Sequence, residues 1–346
     1  MTARPTRGLS ASTETMKVVT ALFIAGLLAA APRTVNRVKS VGRPKAPSYE
    51  VNRINDPQNH EPVSPDSAGA AVVRAQILLD RAHFSPGEID GRWGDNFQVA
   101  IAGYQAARML NASGVVDDDT WKSLDSDTSQ AVVPYTVTPD DIAGPFVKVP
   151  QGMLAQAKLK SLGYQSVQEK LGERFHINPA LLVRINPGKS LLKAGQQIMV
   201  PNVAREYVAA ADKVVVSKKN RTVSAYGADG MLLAEYPATM GSEHDPLPIG
   251  EWKITEIDHY PWFHYNPALF WDAKAKDTKA KIAPGPNNPV GVVWLNLSKE
   301  HYGIHGTPEP SRIGHAESHG CIRLTNWDAE ELSKMVKVGT PAILQE

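Results

Sequence analysis

The residues best suited to chemistry lie in one short segment, residues 302–327, which reads YGIHGTPEPSRIGHAESHGCIRLTNW. This segment places His305, His315 and His319 around Cys321, the only cysteine of the sequence. A thiol attacks acyl groups as the thiolate, and an unperturbed cysteine with a pKa of about 8.5 is only slightly ionised at neutral pH. A nearby histidine can take the proton or stabilise an ion pair, and later return the proton to a leaving amine. The segment therefore has the groups that cysteine-dependent acyl transfer needs.

Two other interpretations of this segment remain open. A lone thiol such as Cys321 can be an inert packing residue. Three histidines and a cysteine could also bind zinc, but structural zinc sites usually use close-spaced pairs such as C-x2-C, and the sequence has no H-E-x-x-H. Gly320, directly before the cysteine, favours catalysis because a glycine lets backbone amides come close to a developing oxyanion.

The same segment resembles the active-site signature of the L,D-transpeptidase catalytic family. The matching residues are His305-Gly306-Thr307 and Ser318-His319-Gly320-Cys321-Ile322-Arg323. The similarity extends over about residues 213–345, and it includes Pro248-Ile249-Gly250, the loop 284–289 and Asn326-Trp327-Asp328. The resemblance implies an L,D-transpeptidase catalytic domain over residues 213–346.

The resemblance also implies the catalytic roles. Cys321 would be the nucleophile, and His305, from an upstream strand, would be its base. The residues from Ser318 to Cys321, with Gly320 among them, would form the oxyanion turn. His319 lies next to the turn and is the second candidate for a base.

Substrate binding is assigned by the same resemblance. Arg323 would bind a carboxylate of the substrate, and Gly306 and Thr307 are the further substrate-binding candidates. The alternative for Arg323 is an ordinary ion pair with Asp328 or Glu330. No metal and no organic cofactor is implied.

The activity that the resemblance implies is the cross-linking of peptidoglycan between third residues of stem peptides. The cysteine would attack the carbonyl of the third residue of a tetrapeptide stem, release D-alanine, and pass the acyl group from a thioester to an amine of a second stem. Carbapenem-type inhibitors would acylate the same thiol. Three alternatives remain open: an L,D-carboxypeptidase, an enzyme that anchors a lipoprotein to peptidoglycan, and, from another class, a non-catalytic wall-binding protein.

The elements that would position these residues are mainly strands with one late helix. The predicted strands are 214–216, 222–226, 231–236, 252–254, 290–297 and 342–344. A helix is predicted from about 327 to 336, with Thr325 and Asp328 as its capping pair. The aromatic run 260–265, together with Trp271, is predicted to be a loop that flanks the site.

Helical periodicity dominates the sequence from residue 70 to residue 124. The glycine-rich loop 86–94 separates two helices, Asn96 is the predicted cap of the second, and a third helix begins near Thr120. This stretch resembles the three-helix peptidoglycan-binding domain through its IDGRWG loop and its GVVDDDTW segment. The resemblance implies such a domain over residues 69–126.

Residues 167–201 resemble the second half of a LysM module, a fold that binds N-acetylglucosamine polymers. The module would span 135–202, with residues 139–165 as an insertion. The alternative is a degenerate spacer that does not bind glycan. The predicted fold class is therefore multidomain α+β: an N-terminal three-helix bundle, a small α/β LysM-like module, and a C-terminal, mostly β L,D-transpeptidase catalytic domain with one late helix.

The first residues predict export to the periplasm or cell wall. Met16 and Lys17 precede a 14-residue apolar run, 18–31, that ends in three alanines, as in a secretory signal over 1–31. Because Pro32 follows the alanines, an uncleaved membrane anchor is the alternative. The proline-rich residues 32–68 predict a flexible linker.

The overall charge limits the class of partner. A formal net charge of +1 gives no basic field, which argues against nucleic acid. The predicted partners are therefore peptidoglycan stem peptides and glycan strands, and the accessory domains would raise the local concentration of the enzyme at the polymer.

Overall fold

The structure is a computed structural model that describes residues 47–204, 209–316 and 318–346. The chain from Ala46 onward forms one compact unit. The predicted signal or anchor over 1–31, and the first part of the predicted linker, lie outside the described residues. Within the described ranges, no helix is long and apolar enough to cross a bilayer.

The described residues form eight α-helices and thirteen strands. The helices are α1 (Val51–Ile54), α2 (Ala70–Arg81), α3 (Asp95–Ala107), α4 (Asp118–Leu124), α5 (Met153–Gln156), α6 (Val167–Arg174), α7 (Pro179–Arg184) and α8 (Asn326–Met335). The strands are β1 (Val132–Thr136), β2 (Gln197–Pro201), β3 (Lys213–Ser217), β4 (Thr222–Tyr226), β5 (Leu232–Pro237), β6 (Thr239–Met240), β7 (Gly250–His259), β8 (Phe263–Tyr265), β9 (Ala280–Ile282), β10 (Val293–Leu297), β11 (Gly303–His305), β12 (Ile322–Arg323) and β13 (Pro341–Gln345). The helix-rich N-terminal half and the strand-rich C-terminal half confirm the predicted fold class.

Helices α2, α3 and α4 pack around one apolar core. Phe97 and Ile101 of α3 and Trp121 of α4 are almost fully buried in it. Asp117 caps the N-terminus of α4, because its side chain accepts a hydrogen bond from the backbone N–H of Thr120 (2.9 Å). Burial of one apolar face per helix is what holds these short helices in place.

The predicted cap of α3 is wrong. The helix begins directly after Gly94, which is in an extended conformation. Asn96 lies inside the first turn, and its side-chain amide donates to the backbone carbonyl of Ile313 in the C-terminal domain (2.8 Å). Asn96 therefore forms a contact between domains and does not cap the helix.

The flexible linker predicted before the three-helix domain is also wrong for its described part, residues 47–68. Tyr49 and Val63 are buried in the apolar cores. Asn55 forms two hydrogen bonds with the backbone of Val132, one donated and one accepted, each 2.8 Å long. Two apolar anchors and a paired amide fix this proline-rich stretch against the folded body.

The LysM-like region forms a β-α-α-β unit. Strands β1 and β2 pair antiparallel, and helices α6 and α7 lie between them in the chain. Ser166 caps α6 by accepting from the N–H of Glu169, and Asn178 caps α7 by accepting from the N–H of Ala180. These caps explain why two helices of eight and six residues are stable within a small module.

The insertion within this module, residues 139–165, packs against the catalytic domain. Leu162 is fully buried beside Tyr265 and Ile282. The backbone N–H of Leu162 donates to the carbonyl of Pro284 (3.0 Å), and its own carbonyl accepts from the loop that follows. The insertion is thus attached to the β8–β9 hairpin and to the loop after it.

The larger sheet of the described residues has nine strands in the order β5-β4-β3-β13-β7-β10-β11-β12-β6. The pairs β3–β13 and β11–β12 are parallel, and the other neighbours in the sheet are antiparallel. Helix α8 covers the core beside this sheet and buries Leu332 fully. The predicted capping pair is confirmed, because the Thr325 hydroxyl accepts from the backbone N–H of Asp328 (3.1 Å).

Helix α8 is also the surface on which the accessory parts rest. His83, just after α2, contacts Glu331 through Nδ1 (2.8 Å), and the ring of His176 stacks on Trp327 at 5.0 Å. From α6, the carboxyl group of Glu173 accepts from the amide of Asn326 at 2.9 and 3.1 Å. These contacts join the helical domain, the LysM-like module and the catalytic domain.

Glu173 is chemically unusual in this interface. Its pKa is raised to about 8, mainly by burial and in smaller part by the nearby Glu169 and Glu330 carboxylates, while the hydrogen bond from Asn326 opposes the shift. The side chain is therefore mostly a neutral carboxylic acid at neutral pH.

We expect Glu173→Gln to reduce the loss of stability at alkaline pH. A carboxyl group whose pKa is raised by folding contributes its stability below the pKa of the unfolded chain, about 4.3, and loses it as the pH rises through about 8. The wild-type Tm should therefore fall more than the variant Tm between about pH 6 and about pH 9 in calorimetry. Equal falls in both proteins would show that this carboxyl group does not titrate in the interface.

Candidate active site

The candidate nucleophile and base come from adjacent parallel strands. In the β11–β12 register, Ile304 pairs with Ile322, and His305 pairs with Arg323. Both isoleucines are fully buried in the main core. Because side chains alternate along a strand, His305 and Arg323 point to the other face, as does Cys321, one residue before β12.

That face opens into a cleft of about 1200 Å³. The strands contribute His305, Cys321 and Arg323 to its wall. Residues 260–283, here called the flap, contribute an aromatic wall, which agrees with the predicted position of the aromatic run. A third wall comes from residues 151–158 of the insertion, so the LysM-like module forms part of the cleft.

His305 is held as a neutral imidazole. It is 3% exposed, and its ring stacks on Trp294 at 5.2 Å. Nδ1 lies 2.7 Å from the carbonyl oxygen of Gly306, and since a carbonyl can only accept, Nδ1 carries the proton. Burial, helped by the positive charge of Arg323, lowers the pKa of His305 to about 3, although the hydrogen bond to the Gly306 carbonyl opposes this shift. At neutral pH Nε2 is therefore the unprotonated nitrogen that can act as a base.

Cys321 is held as a thiol. Its Sγ lies 3.6 Å from the carbonyl oxygen of His301, to which a thiol can donate. Burial raises the pKa of the thiol and the carboxylate of Asp245 raises it further, whereas hydrogen bonding from the backbone of Gly303 and the charge of Arg323 lower it. The resting pair is thus a neutral thiol and a neutral imidazole, which favours proton transfer to a base over a preformed ion pair.

The turn before the cysteine depends on Gly320. Its φ of +92° is in the left-handed region, and a Cβ atom there would lie 2.7 Å from the ring of Tyr302. Ser318 closes the turn, because its hydroxyl donates to the carbonyl of Cys321 (2.6 Å) and its N–H donates to the carbonyl of Gly241 (3.0 Å). Ser318 and Gly320 therefore shape the backbone beside the thiol.

Arg323 supplies a positive charge to the cleft. Burial lowers the pKa of its guanidinium, which nevertheless stays protonated, and the carboxylates that raise this pKa are Glu309 and Asp272. Of the alternative partners, Asp328 accepts a hydrogen bond from the hydroxyl of Ser85 (2.9 Å). The Nε of Arg323 is buried without a hydrogen-bond partner among the described residues. A buried donor of this kind is suited to an anionic ligand.

His319 is engaged by the flap. Its Nε2 lies 2.9 Å from Oδ1 of Asp272, and its ring contacts Phe270 at 4.9 Å. Beside it, Trp271 stacks on His244 at 4.3 Å. The flap is therefore attached to the nucleophile turn through His319 and to His244 through Trp271. His319 remains the second candidate for a base, because its Nδ1 is buried without a hydrogen-bond partner among the described residues.

Gly306 and Thr307 lie behind the wall of the cleft. A Cβ atom on Gly306 would lie 2.3 Å from Oδ1 of Asn326, so only glycine fits there. Thr307 is 5% exposed, and its hydroxyl accepts from the backbone N–H of Glu309 (3.2 Å). Their positions suit support of the base better than direct contact with a substrate.

Two parts of the site had no signal in the sequence. Residues 151–158 have no chemical motif, and their place in the cleft depends on packing with residues more than a hundred positions away. Trp294, under His305, is an ordinary strand residue in sequence. Among the described residues, no three His, Cys, Asp or Glu side chains are arranged to hold a metal ion.

Comparison with known proteins confirms the resemblance of the helical domain to a peptidoglycan-binding domain and that of the C-terminal domain to an L,D-transpeptidase. Residues 211–344 match the L,D-transpeptidase catalytic domain, and residues 68–124 match a peptidoglycan binding domain. The chain is 34% identical to L,D-transpeptidase YkuD of Bacillus licheniformis over 174 residues, which are 50% of this chain and 89% of that protein. It is 25% identical to L,D-transpeptidase YbiS of Escherichia coli K12 over 198 residues, or 56% of this chain and 61% of that protein.

Solved structures of similar proteins include the L,D-transpeptidase of Xylanimonas cellulosilytica. It is 17% identical with a TM-score of 0.35, and the match covers 87% of this chain and 100% of that one. L,D-transpeptidase 3 of Mycobacterium tuberculosis is 18% identical with a TM-score of 0.32, over 46% of this chain and 77% of that one. The family assignment therefore comes from the sequence matches.

Alkylation of Cys321 tests the protonation of the resting pair. The midpoint of iodoacetamide labelling against pH, followed by intact mass, should lie above about 8.5, because burial raises the pKa of the thiol. Arg323→Gln should move the midpoint higher, since the guanidinium favours the thiolate. A wild-type midpoint below about 7 would instead indicate a thiolate–imidazolium ion pair.

Proposed function

Because the chain belongs to the L,D-transpeptidase family, we propose that it is a peptidoglycan L,D-transpeptidase that joins third residues of stem peptides through a thioester on Cys321. The observation that carries this proposal is the neutral His305 on the same cleft wall as the thiol. A base with its Nδ1 proton fixed by a carbonyl presents Nε2 as the only nitrogen able to accept a proton.

Acylation follows from this arrangement. Sγ of Cys321 attacks the carbonyl carbon of the third stem residue, while Nε2 of His305 takes the thiol proton. The oxyanion develops beside the turn 318–321, where the backbone N–H groups of Gly320 and Cys321 can donate to it, since the N–H of Ser318 already donates to Gly241. Nε2 then protonates the amine of the leaving D-alanine as the C–N bond breaks. A thioester and a neutral imidazole remain.

Deacylation repeats the proton transfer with a second stem. An amine of that stem attacks the thioester carbonyl, and Nε2 of His305 takes a proton from the amine. Collapse of the tetrahedral intermediate forms the new peptide bond and expels sulfur, which receives the proton from Nε2. Because the thioester keeps the energy of the first peptide bond, cross-linking needs no ATP outside the cytoplasm.

Arg323 is proposed to bind the side-chain carboxylate of a diaminopimelate stem. Its unpaired Nε and its buried charge support this role. A guanidinium binds a carboxylate through two parallel hydrogen bonds, which fixes the orientation of the donor stem as well as its affinity.

The walls that the flap and the insertion build around the thiol support transfer to an amine over transfer to water. The flap and residues 151–158 both line the cleft, and the contact between His319 and Asp272 ties the flap to the nucleophile turn. Exclusion of water from an acyl-enzyme protects it from hydrolysis. L,D-carboxypeptidase activity and lipoprotein anchoring differ only in the acceptor, so they are outcomes of the product test.

The accessory parts are proposed to keep the enzyme on its polymer. The peptidoglycan binding domain over 68–124 supports retention at glycan strands. We place the protein in the periplasm or cell wall, after a signal or behind an anchor over 1–31.

The direct test is product analysis. The purified chain is incubated with disaccharide-tetrapeptide muropeptides, and products are followed by mass spectrometry, with Cys321→Ala as control. Dimers that lack one alanine and require Cys321 are expected. Monomeric tripeptide alone would make the enzyme a carboxypeptidase, and transfer only to a lysine peptide would make it an anchoring enzyme. If no product depends on Cys321, the remaining interpretation is a non-catalytic wall-binding protein.

Arg323→Gln should weaken turnover of the acidic stem selectively. Loss of a charge-assisted hydrogen bond costs about 1.5–3 kcal/mol, so kcat/KM should fall roughly tenfold to a hundredfold, mainly through KM. Arg323→Lys should recover part of the loss, because lysine keeps the positive charge but lacks the planar guanidinium that forms two parallel hydrogen bonds. Stems with an amidated diaminopimelate side chain serve as the control, and an equal loss with both stems would contradict carboxylate recognition.

Carbapenem-type β-lactams should form an adduct on Cys321, as the family resemblance implies. Intact mass of the treated wild-type chain should rise by the mass of the drug, because ring opening leaves the whole molecule as a thioester. Cys321→Ala should show no increase. An unmodified wild-type mass at high drug excess would contradict an accessible thiol with a working base.

A further inference from the structure

Asn326, the first residue of α8, lies at a crossing of three backbone segments. Its Oδ1 accepts from the N–H of Val292 (3.2 Å), and its Nδ2 donates to the carbonyl of Pro286 (3.1 Å). The side chain is 3% exposed. The same Oδ1 would lie 2.3 Å from a Cβ atom on Gly306, so the amide rests directly against that backbone.

Gly306 is the residue whose carbonyl holds the base. Nδ1 of His305 donates to that carbonyl at 2.7 Å. The N–H of Gly306 donates to the carbonyl of Val293 (3.2 Å), which fixes one end of the residue to β10. Asn326 and Gly291 both pack against the Gly306 backbone, so a shift of the Asn326 amide would loosen one of the contacts that hold the Gly306 carbonyl in place.

Glu173 completes this cluster from another part of the chain. It lies in α6 of the LysM-like module, and its two carboxyl oxygens are 2.9 and 3.1 Å from Nδ2 of Asn326. Without it, one N–H of a buried amide would lose its acceptor, and the amide could rotate. The path from the accessory module to the base therefore has three contacts: Glu173 to Asn326, Asn326 to Gly306, and Gly306 to His305.

We propose that Glu173 is a positioning residue for the catalytic base, so that the LysM-like module helps to set the orientation of His305 through Asn326 and the Gly306 carbonyl. The inference rests on the proposed acyl transfer, because it assigns Glu173 a role in the same reaction. An accessory module that only tethered the enzyme would need no contact behind the base. Its removal or displacement would leave Cys321 in place and misdirect Nε2.

A neighbouring contact supplies a matched control. Glu169, also on α6, accepts from the side-chain amide of Asn287 and from the N–H of Gln165. It attaches the same helix to the loop 284–289, which also contains Pro286, but its hydrogen-bond partners are Asn287 and Gln165, whereas Glu173 bonds Asn326 directly. A general loosening of the interface should follow from Glu169→Leu as well as from Glu173→Leu, whereas misplacement of the base should follow only from the second.

The experiment compares kcat and KM of the full chain and its variants with tetrapeptide muropeptides. Glu173→Leu should lower kcat roughly tenfold to a hundredfold with little change in KM, as expected for a base displaced by a fraction of an ångström. Glu173→Gln keeps an oxygen acceptor for Asn326 and should stay within about twofold of wild type. Glu169→Leu should also stay within about twofold. If Glu173→Leu does not fold, Glu173→Asn, which is one carbon shorter but still polar, replaces it with the same expected loss.

Nitrogen-15 NMR of the His305 side chain gives a readout that does not depend on turnover. The Nδ1 proton should be protected from exchange in wild type and Glu173→Gln, and it should exchange faster in Glu173→Leu. Unchanged kcat and unchanged exchange in Glu173→Leu would overturn the inference, as would an equal loss in Glu169→Leu. Failure of the proposed function is distinct, because wild type itself would then give no Cys321-dependent product.

Discussion

The hydrogen bond from Nδ1 of His305 to the Gly306 carbonyl is the interaction on which the rest of the site depends. It fixes the tautomer, and burial against Trp294 keeps the ring neutral, so that one nitrogen is free to take a proton. A thiol whose pKa is raised needs such a base at the moment of attack, since little thiolate is present beforehand. The parallel pairing of β11 with β12 brings the two groups to one face of the sheet.

The accessory parts of the chain are built into this arrangement, and they do more than tether it. Helix α8 meets the helical domain through His83 and the LysM-like module through Glu173, while the insertion reaches the cleft with residues 151–158. Polar contacts of this kind fix relative orientation more than they add stability. The geometry of the cleft therefore belongs to the whole folded unit and not to the catalytic domain alone.

The features that the sequence predicts correctly have local causes. The Thr325 cap, the helical periodicity before residue 124 and the short motif around Cys321 depend on neighbours in the chain, and the family resemblance followed from them. The features that the sequence does not predict depend on residues that are far apart in the chain. The proline-rich composition around Tyr49 predicts a flexible linker, but the Tyr49 side chain is buried against parts of the chain that are distant in sequence. The protonation of the proposed catalytic pair, Cys321 and His305, also had no local signal, because burial, which residue spacing does not show, has the largest effect on both pKa values.

The protonation state of His305 is the central claim, and nitrogen-15 NMR of its imidazole at neutral pH measures it most directly. We predict a neutral ring with the proton on Nδ1, unchanged between about pH 5 and about pH 8, because the pKa of His305 is about 3. A doubly protonated ring at neutral pH, or a neutral ring with its proton on Nε2, would contradict it. The first result would replace the neutral pair by an ion pair, and the second would leave the thiol without a base.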